Sequence, residues 1–316
     1  MAEHERPVVA FLGPEASYTH QAALDAFNKD EFTLSPQITI ADIFTAVQNG
    51  TAYRGVVPFE NSSNGSVVFT LDLISDPQNK HPDILVCGEA YVAVKHCLLG
   101  HAPTPVTQAD RIAGKPLADL SKIKKLYSHP QAWGQCTNFL TTHLKATERH
   151  DVSSTSRAAE IAAADKSGES AALSSAVAAS LFGLDILAES INDHVGNTTR
   201  FLIIKNKNLP TPSLSVGNED ADADFKTLIT FTVDHANPGA LAHCLAAFEK
   251  FGLNLTSINT RPSGVRNWHY VFFVELRGRR EEGGAGEVNK ALGELDGVAR
   301  GWAWKGSWES AGGIEE

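Results

Sequence analysis

The sequence predicts an α/β fold: a parallel or mixed sheet covered on both faces by helices, with a smaller ferredoxin-like domain behind it. Three observations predict this. Apolar strand-like runs alternate with amphipathic helical runs as far as about residue 205, the pattern of a sheet flanked by helices. Several of those strands open into turns rich in Ser, Thr, Asn and Gly. Beyond a Pro- and acid-rich stretch, a strand–helix–strand–strand–helix–strand order fits within residues 225–305, as in a split βαβ module.

Residues 7–12 form an apolar strand that runs into Gly13-Pro14-Glu15-Ala16-Ser17-Tyr18-Thr19, and residues 20–27 follow as an amphipathic helix. Residues 40–48 are helical, with Ile43, Phe44 and Val47 on one face. Residues 55–59 form a strand opening into Glu60-Asn61-Ser62-Ser63-Asn64-Gly65, and a helix follows over 67–74. Residues 84–99 give one or two strands. A strand at 123–127 leads to Ser128-His129-Pro130-Gln131 and a helix to about His143. Residues 148–152 lead into Ser153-Ser154-Thr155-Ser156 and an Ala-rich helix through Ala164. Residues 171–173 lead to Ser174-Ser175 and a helix that ends near Gly183, a suitable residue just past a helix end. Strands at 184–187 and 200–204 flank a polar loop at 189–199.

Residues 206–224 form a linker holding Pro210, Pro212 and Gly217, with four acids in its last six positions. The small domain then has strands at 226–233, 255–260, 268–276 and 297–304, and helices at 239–251 and 288–295. The expected organisation is a main domain over 1–205, the linker, the small domain over 225–305 and a tail at 306–316. Within the main domain the expected lobes are 1–84 plus 189–205, and 85–188.

Composition bounds the function. The chain has 316 residues, enough for roughly two domains of about 100–200 residues each. With 42% hydrophobic and 20% charged residues it can bury a sizeable core. The formal charge is −10, and splitting at residue 212 leaves −5 on either side, so neither part hides a basic domain. That argues against a general nucleic-acid or anionic-membrane binder, which needs a basic face. Cys87, Cys97, Cys136 and Cys244 form no CxxC pair, and the His residues show no metal-ligand spacing. The N-terminal residues lack a leader pattern, and no apolar run reaches the roughly 18–20 residues that span a bilayer. The expected address is a reducing cytoplasm.

Ligands of open α/β sheets sit beyond the carboxyl ends of the strands, and helix N-termini favour carboxylates and phosphates. The polar turns are therefore candidate binding segments for a small anion. Asn197-Thr198-Thr199-Arg200-Phe201 places a guanidinium fork, suited to a carboxylate, beside a hydroxyl. Its bland alternative is a turn with a surface Arg. Ser128 and Gln131 have the spacing of a capping box, with Pro130 favoured in a first turn; a cap and a ligand contact can coexist. Gln131 and Gln135 share a helical face. Asn61 and Ser62 lie in ordinary turn chemistry, yet directly after a buried strand. Thr155 and Ser156 suit a helix cap first and a ligand second. Neither a P-loop nor a GxGxxG fingerprint is present.

These segments together resemble prephenate dehydratase with a C-terminal ACT regulatory domain. The residues that carry the resemblance are Gly13 through Thr19, Val57-Pro58-Phe59-Glu60-Asn61-Ser62, Ser128-His129-Pro130-Gln131 with Gln135, Ser153 through Ser156, and Asn197 through Phe201. The ACT part rests on Gly239-Ala240-Leu241, Asn254-Leu255-Thr256 and Thr260-Arg261-Pro262-Ser263. The resemblance covers about 7–205 and 225–305. The chain departs from the pattern at Ala16-Ser17 and Thr19, at Phe59, and at Asn259, where the family has a Glu.

The resemblance implies a two-lobed catalytic domain like type 2 periplasmic binding proteins, with the site between the lobes. It implies conversion of prephenate to phenylpyruvate with loss of water and carbon dioxide, in phenylalanine biosynthesis. It implies no metal and no organic cofactor. Thr199 is the expected catalytic donor to the leaving hydroxyl. Arg200 is the expected carboxylate anchor, Phe201 a ring contact or core residue, and Asn61, Ser62, Ser128, Gln135, Thr155 and Ser156 neutral donors. Phenylalanine is the expected allosteric ligand, near Asn237, Gly239, Ala240, Leu241, Asn259, Thr260, Arg261 and Pro262. A homodimer or homotetramer is expected. Arogenate as substrate, and a non-catalytic amino-acid or organic-acid sensor, are the alternatives.

Overall fold

The computed structural model describes residues 6–102, 112–210 and 224–312. Most of the predicted linker and the end of the predicted tail therefore lie outside the described residues. In chain order the elements through residue 206 begin with β1 (Val8–Leu12), α1 (Tyr18–Ala26), β2 (Thr33–Gln37), α2 (Ile40–Gln48), β3 (Arg54–Asn61) and β4 (Gly65–Ser66). There follow α3 (Val68–Ser75), β5 (Ile84–Ala93), β6 (Cys97–Gly100), β7 (Lys125–Ser128), α4 (Pro130–Gln135) and α5 (Thr137–His143). Then come β8 (Glu148–Asp151), α6 (Thr155–Ala164), β9 (Ser170–Ser174), α7 (Ala176–Phe182), β10 (Asp185–Ala188) and β11 (Thr198–Asn206). The C-terminal part consists of β12 (Phe225–Thr232), α8 (Ala240–Glu249), β13 (Leu255–Pro262), β14 (Tyr270–Arg277), α9 (Glu287–Val298) and β15 (Gly301–Glu309).

The chain divides into two compact units. One joins Met1–Leu12, Asp25–Tyr91 and Arg200–Glu316; the other joins Gly13–Leu24 and Val92–Thr199. The change of unit thus falls within β5 and at the first residues of β11. It does not fall at 84 and 189, where the sequence suggested it.

The first unit holds a sheet in the order β2-β1-β3-β11-β5, with β4 paired to β3. β1 runs parallel to both β2 and β3. β2 has no counterpart among the sequence expectations because Pro36 sits inside it. Pro is tolerated there because β2 is an edge strand, where a missing N–H breaks no ladder. α2 starts where Thr39 and Asp42 form a reciprocal capping box, and it buries Ile43, Phe44 and Val47 as its periodicity predicts.

The C-terminal βαββαβ module also belongs to this unit. Its sheet is antiparallel, in the order β13-β14-β12-β15. Strand alternation sorts its two faces. Ile229, Phe231, Phe272, Val274 and Leu276 pack with Cys244 and Phe248 of α8 and Leu292 and Leu295 of α9. Leu228, Val271, Phe273 and Trp308 face the other way, into one core with Ile43, Phe44, Phe59 and Leu202. The module's sheet is thus covered by its own helices on one face and by the first lobe on the other. The predicted tail is corrected here: β15 runs to Glu309 and Trp308 is buried.

The second unit is built on a mixed sheet in the order β10-β6-β9-β7-β8. β7 is parallel to β8 and β9, whereas β6 is antiparallel to β9 and β10. β9 is buried throughout. Small residues let α6 and α7 lie close on the sheet: Ala158, Ala159, Ala162, Ala172, Ala178 and Ala179 share one core. The helix expected to run to His143 is broken at Cys136 into α4 and α5.

Candidate active site

Of the predicted substrate residues of the second unit, Ser128 ends β7, Gln135 ends the helix after it, and Thr155 and Ser156 follow β8, at the strand ends where ligands of such sheets bind. The structure separates hydroxyls engaged in the fold from those that are not. Ser128 is fully buried and its Oγ donates to the Leu173 carbonyl of neighbouring β9 at 2.9 Å. It ties two strands together, which corrects its assignment as a substrate donor. The cap of α4 is His129, whose Nδ1 accepts from the Gln131 N–H. Ser156 is also buried, and its Oγ donates to the Glu15 carbonyl at 2.5 Å. Ser175 Oγ donates to the Ala16 carbonyl at 3.1 Å. These two hydroxyls hold the turn between β1 and α1, so Ser156 too is corrected to a structural role. Ser154 caps α6, accepting from the Arg157 N–H.

Three polar groups remain open at this end of the sheet. The Thr155 hydroxyl, in the first turn of α6, has no hydrogen-bond partner among the described residues. Gln135 uses its Oε1 on His96 Nε2 at 2.6 Å, leaving its amide N–H groups for another acceptor. Ser174 Oγ is buried at the end of β9 without a partner among the described residues. Buried hydroxyls are normally hydrogen-bonded, so Ser174 is a candidate contact that sequence reasoning passed over.

His96 was also missed. It is buried, bridged by Gln135 Oε1 on Nε2 and by the Tyr18 hydroxyl on Nδ1 at 3.2 Å. Its backbone N–H donates to Asn192 Oδ1 at 2.6 Å. Burial holds its pKa below the ordinary 6.5, against the smaller opposing effect of Gln135. The neutral Nε2–H tautomer donates to Gln135 Oε1 and leaves Nδ1 as an acceptor beside the Tyr18 hydroxyl, which also lies 3.3 Å from the Lys95 carbonyl. Burial also raises the Tyr18 phenol, so it stays protonated. No local sequence signal marks a lone His after Lys95; only Gln135 was visible.

Thr199 is the second residue of β11 and half-buried; it follows Asn197, whose carbonyl accepts from the Val94 N–H at 2.7 Å. In the first unit, Asn61 ends β3 and its Oδ1 accepts from the N–H groups of Ser63 and Asn64, both at 3.0 Å, as an Asx turn. Ser62 beside it is exposed. Phe201 is fully buried, as its core alternative expects.

Arg200 requires the largest correction. Its side chain is buried, and alternation along β11 turns it to the face opposite Thr199. Nε and Nη2 donate to Glu89 Oε2 at 2.9 and 2.5 Å, and Nη2 also donates to Glu275 Oε2 at 2.5 Å. The fork that was to hold a substrate carboxylate already holds two from the protein. Burial opposes the charge on Arg200, but Glu275 and Glu89 more than offset it and raise its pKa. Burial likewise acts to raise Glu89, while Arg200 and Lys226 bring it below its ordinary 4.5. Removing one partner from such a buried set typically costs about 3–5 kcal/mol.

The predicted regulatory segments meet at one end of the C-terminal sheet. Pro262 pairs with Tyr270, whose N–H donates to His235 Nε2 at 3.0 Å. Asn237, Gly239, Ala240 and Leu241 lead from that loop into α8, with Gly239 at φ 83°. Asn259 and Arg261, however, face the first lobe. Asn259 Oδ1 accepts from Ser66 Oγ at 2.5 Å, and Arg261 forms a two-point pair with Asp72 at 2.7 and 2.9 Å. Thr260 alternates to the exposed side. The side chains of Asn259 and Arg261 are therefore corrected from ligand contacts to contacts that join β13 to β4 and to α3.

A family model described as prephenate dehydratase matches residues 9–209. The chain belongs to the prephenate dehydratase family. It is 38% identical over 288 residues to a bifunctional chorismate mutase/prephenate dehydratase of Aquifex aeolicus, covering 91% of this chain and 69% of that one. It is 34% identical to a probable prephenate dehydratase of Saccharomyces cerevisiae, covering 84% and 86%. Among solved structures it is similar to a prephenate dehydratase of Arthrobacter aurescens in complex with L-Phe, at TM-score 0.76 and 28% identity over 96% and 90% of the two chains. It is equally similar, at TM-score 0.76 and 26% identity over 96% and 98%, to GqqA, described as a novel type of quorum quenching acylase. The α/β fold expected from the dehydratase resemblance stands with these comparisons. No helix among the described residues is long and apolar enough to cross a membrane.

Proposed function

We propose that the chain is a prephenate dehydratase acting in phenylalanine biosynthesis, and that Thr199 is its catalytic residue. The match of residues 9–209 to the family carries this reading. The reaction consumes the prephenate dianion and one proton, and releases phenylpyruvate, carbon dioxide and water. The bond to the ring carboxylate breaks, its electron pair completes the aromatic ring, and the C–O bond to the ring hydroxyl breaks. Aromatisation drives the reaction, so the enzyme must mainly position the substrate and assist the departing oxygen. The Thr199 hydroxyl donates to that oxygen. A threonine is a poor Brønsted acid, with no pKa near the working pH, so water supplies the proton through it.

With Arg200 engaged elsewhere, we assign substrate contacts in the second unit to Thr155, Gln135 and Ser174. Their groups are neutral donors, which suits release of an anionic product. No metal or organic cofactor enters the proposal.

The direct test is to mix purified protein with prephenate and follow phenylpyruvate, with arogenate in parallel. Faster turnover of arogenate would change the substrate; phenylalanine binding without turnover of either would make the protein a sensor. Amide hydrolysis, the activity that the acylase description suggests for its own protein, is the control arm, since one fold hosts several chemistries. Thr199→Ala should lower kcat far more than it weakens binding. We further propose that phenylalanine binds the loop from Asn237 to Leu241, inhibiting a homodimer or homotetramer in the cytoplasm. Calorimetry and light scattering test the binding and the assembly.

A further inference from the structure

We propose that Arg200 is a positioning residue for the reaction, and that the C-terminal domain completes it by supplying Glu275. This rests on the dehydratase function proposed above and deepens it. Arg200 follows Thr199 directly on β11, and successive strand side chains point to opposite faces. The guanidinium, fixed by its carboxylate partners, therefore anchors β11 from the face opposite the Thr199 hydroxyl. Glu89, on β5, holds Nε and Nη2, and Glu275, on β14, holds Nη2.

Each carboxylate is itself held. Lys226 Nζ donates to Glu89 Oε1 at 3.0 Å and to the Tyr91 hydroxyl at 3.1 Å. The Ala311 N–H donates to Glu89 Oε1 at 3.1 Å, and the Thr256 hydroxyl to Glu275 Oε1 at 2.6 Å. The set contains two cations and two anions, so it is neutral and self-contained, with no charge left over for a substrate. A bond placed merely to join two domains could stand anywhere along the shared core. This one stands at the residue next to the proposed catalytic hydroxyl. A second polar contact repeats the arrangement: Ser66 donates to Asn259 of β13, and Ser66 pairs with Glu60, the neighbour of Asn61. Arg200, the residue after Thr199, and Ser66, which pairs with the residue before Asn61, are thus both held by strands of the C-terminal sheet.

The test is Glu275→Gln in the full-length protein, which keeps the side-chain shape and removes the charge. A displacement of about 1 Å in a catalytic group costs up to about a hundred-fold in rate, so kcat for prephenate should fall by about ten- to a hundred-fold. KM should change by less than about two-fold, since substrate is not touched. Circular dichroism must show the variant folded at the assay temperature, because a merely structural role would leave kcat of the folded fraction unchanged. Thr256→Val removes only the exposed hydroxyl on Glu275 and should lower kcat in the same direction by less; it decides the matter should Glu275→Gln not fold. Unchanged kcat in the folded variants overturns the proposal, as does a raised KM at constant kcat. A wild-type protein that does not convert prephenate removes the dehydratase reading itself, and that failure is read from the parent alone.

Discussion

Gly306→Ala probes the joint between the C-terminal sheet and the first lobe. Gly306 lies in β15 at φ 136°, and an added Cβ would lie 2.0 Å from the Val86 carbonyl oxygen of β5. The ladder explains the close approach: Leu228 pairs with Gly306 and Ile229 with Trp304, so Lys305 is an extra residue in a β-bulge. Relieving the clash to 3.0 Å requires a backbone movement of about 1 Å. The φ alone costs a non-glycine residue about 1–3 kcal/mol, and forcing atoms into a packed core costs about 1–3 kcal/mol more. Taking roughly 3 kcal/mol, a unit of this size should lose about 6–12 °C in melting temperature. Differential scanning calorimetry on the full chain measures it. Gly293→Ala is the control: Gly293 is inside α9 with open space around it, so the substitution should raise stability by up to about 1 kcal/mol. A Gly306→Ala protein that melts within about 2 °C of wild type, or no lower than the control, would refute the idea that β15 and β5 touch through their backbones.

Trp308 is buried in the same joint with its indole N–H unpaired among the described residues. Trp308→Phe should cost less than about 1.5 kcal/mol and Trp308→Ala about 3–5 kcal/mol, measured by urea unfolding; similar costs for both would deny the packing role. His96 titrates in the fold below its ordinary 6.5, so the unfolded chain binds the proton more tightly. Its contribution should be complete above pH 6.5 and lost as pH falls below it. Melting temperatures over that range should show a decline in wild type that is smaller in His96→Gln. Glu89 has a depressed pKa, so its contribution is present above pH 4.5 and lost as pH falls further. Lys226 has a raised pKa, so its contribution holds below pH 10.5 and is lost as pH rises beyond. The wild-type joint should therefore weaken at both extremes, and a pH series on Glu89→Gln that matches wild type below pH 4.5 would contradict this.

The elements that sequence made legible are those whose physics is local. The amphipathic face of α2, the C-terminal strand–helix–strand–strand–helix–strand succession and the stop at Gly183 follow from periodicity and single-residue preferences. β2 was hidden because Pro36 is acceptable only at an edge, and edge status depends on the whole sheet. Hydroxyl-rich turns follow strands of the second unit's sheet, as their sequence positions suggest, but sequence could not show where each hydroxyl points. Ser128 and Ser156 serve carbonyls 45 and 141 residues away. Arg200 was legible as important and wrong in role, because its partners lie 111 and 75 residues away on other strands. Trp308 looked like a tail residue because nothing local announces that β15 ends inside a core shared with the first lobe.

Reassigning Arg200 also changes how an acidic protein can hold a dianion. With a formal charge of −10, a guanidinium clamp was the simplest counterweight, and the structure gives that guanidinium to Glu89 and Glu275 instead. The burden then moves to neutral donors and backbone. α6 opens with Thr155, and Ser154 caps only the Arg157 N–H, so the first N–H groups of that helix have no intrahelical partner and carry its positive dipole end. The amide of Gln135 and the hydroxyls of Thr155 and Ser174 lie on the same sheet end. Neutral and dipolar donors hold charge less tightly than a salt bridge and depend less on ionic strength. The KM for prephenate should accordingly rise only weakly between about 0.05 and 0.5 M salt. A steep, roughly proportional rise would mean that a cation does hold the substrate, and would send the search for the carboxylate anchor back to the basic side chains.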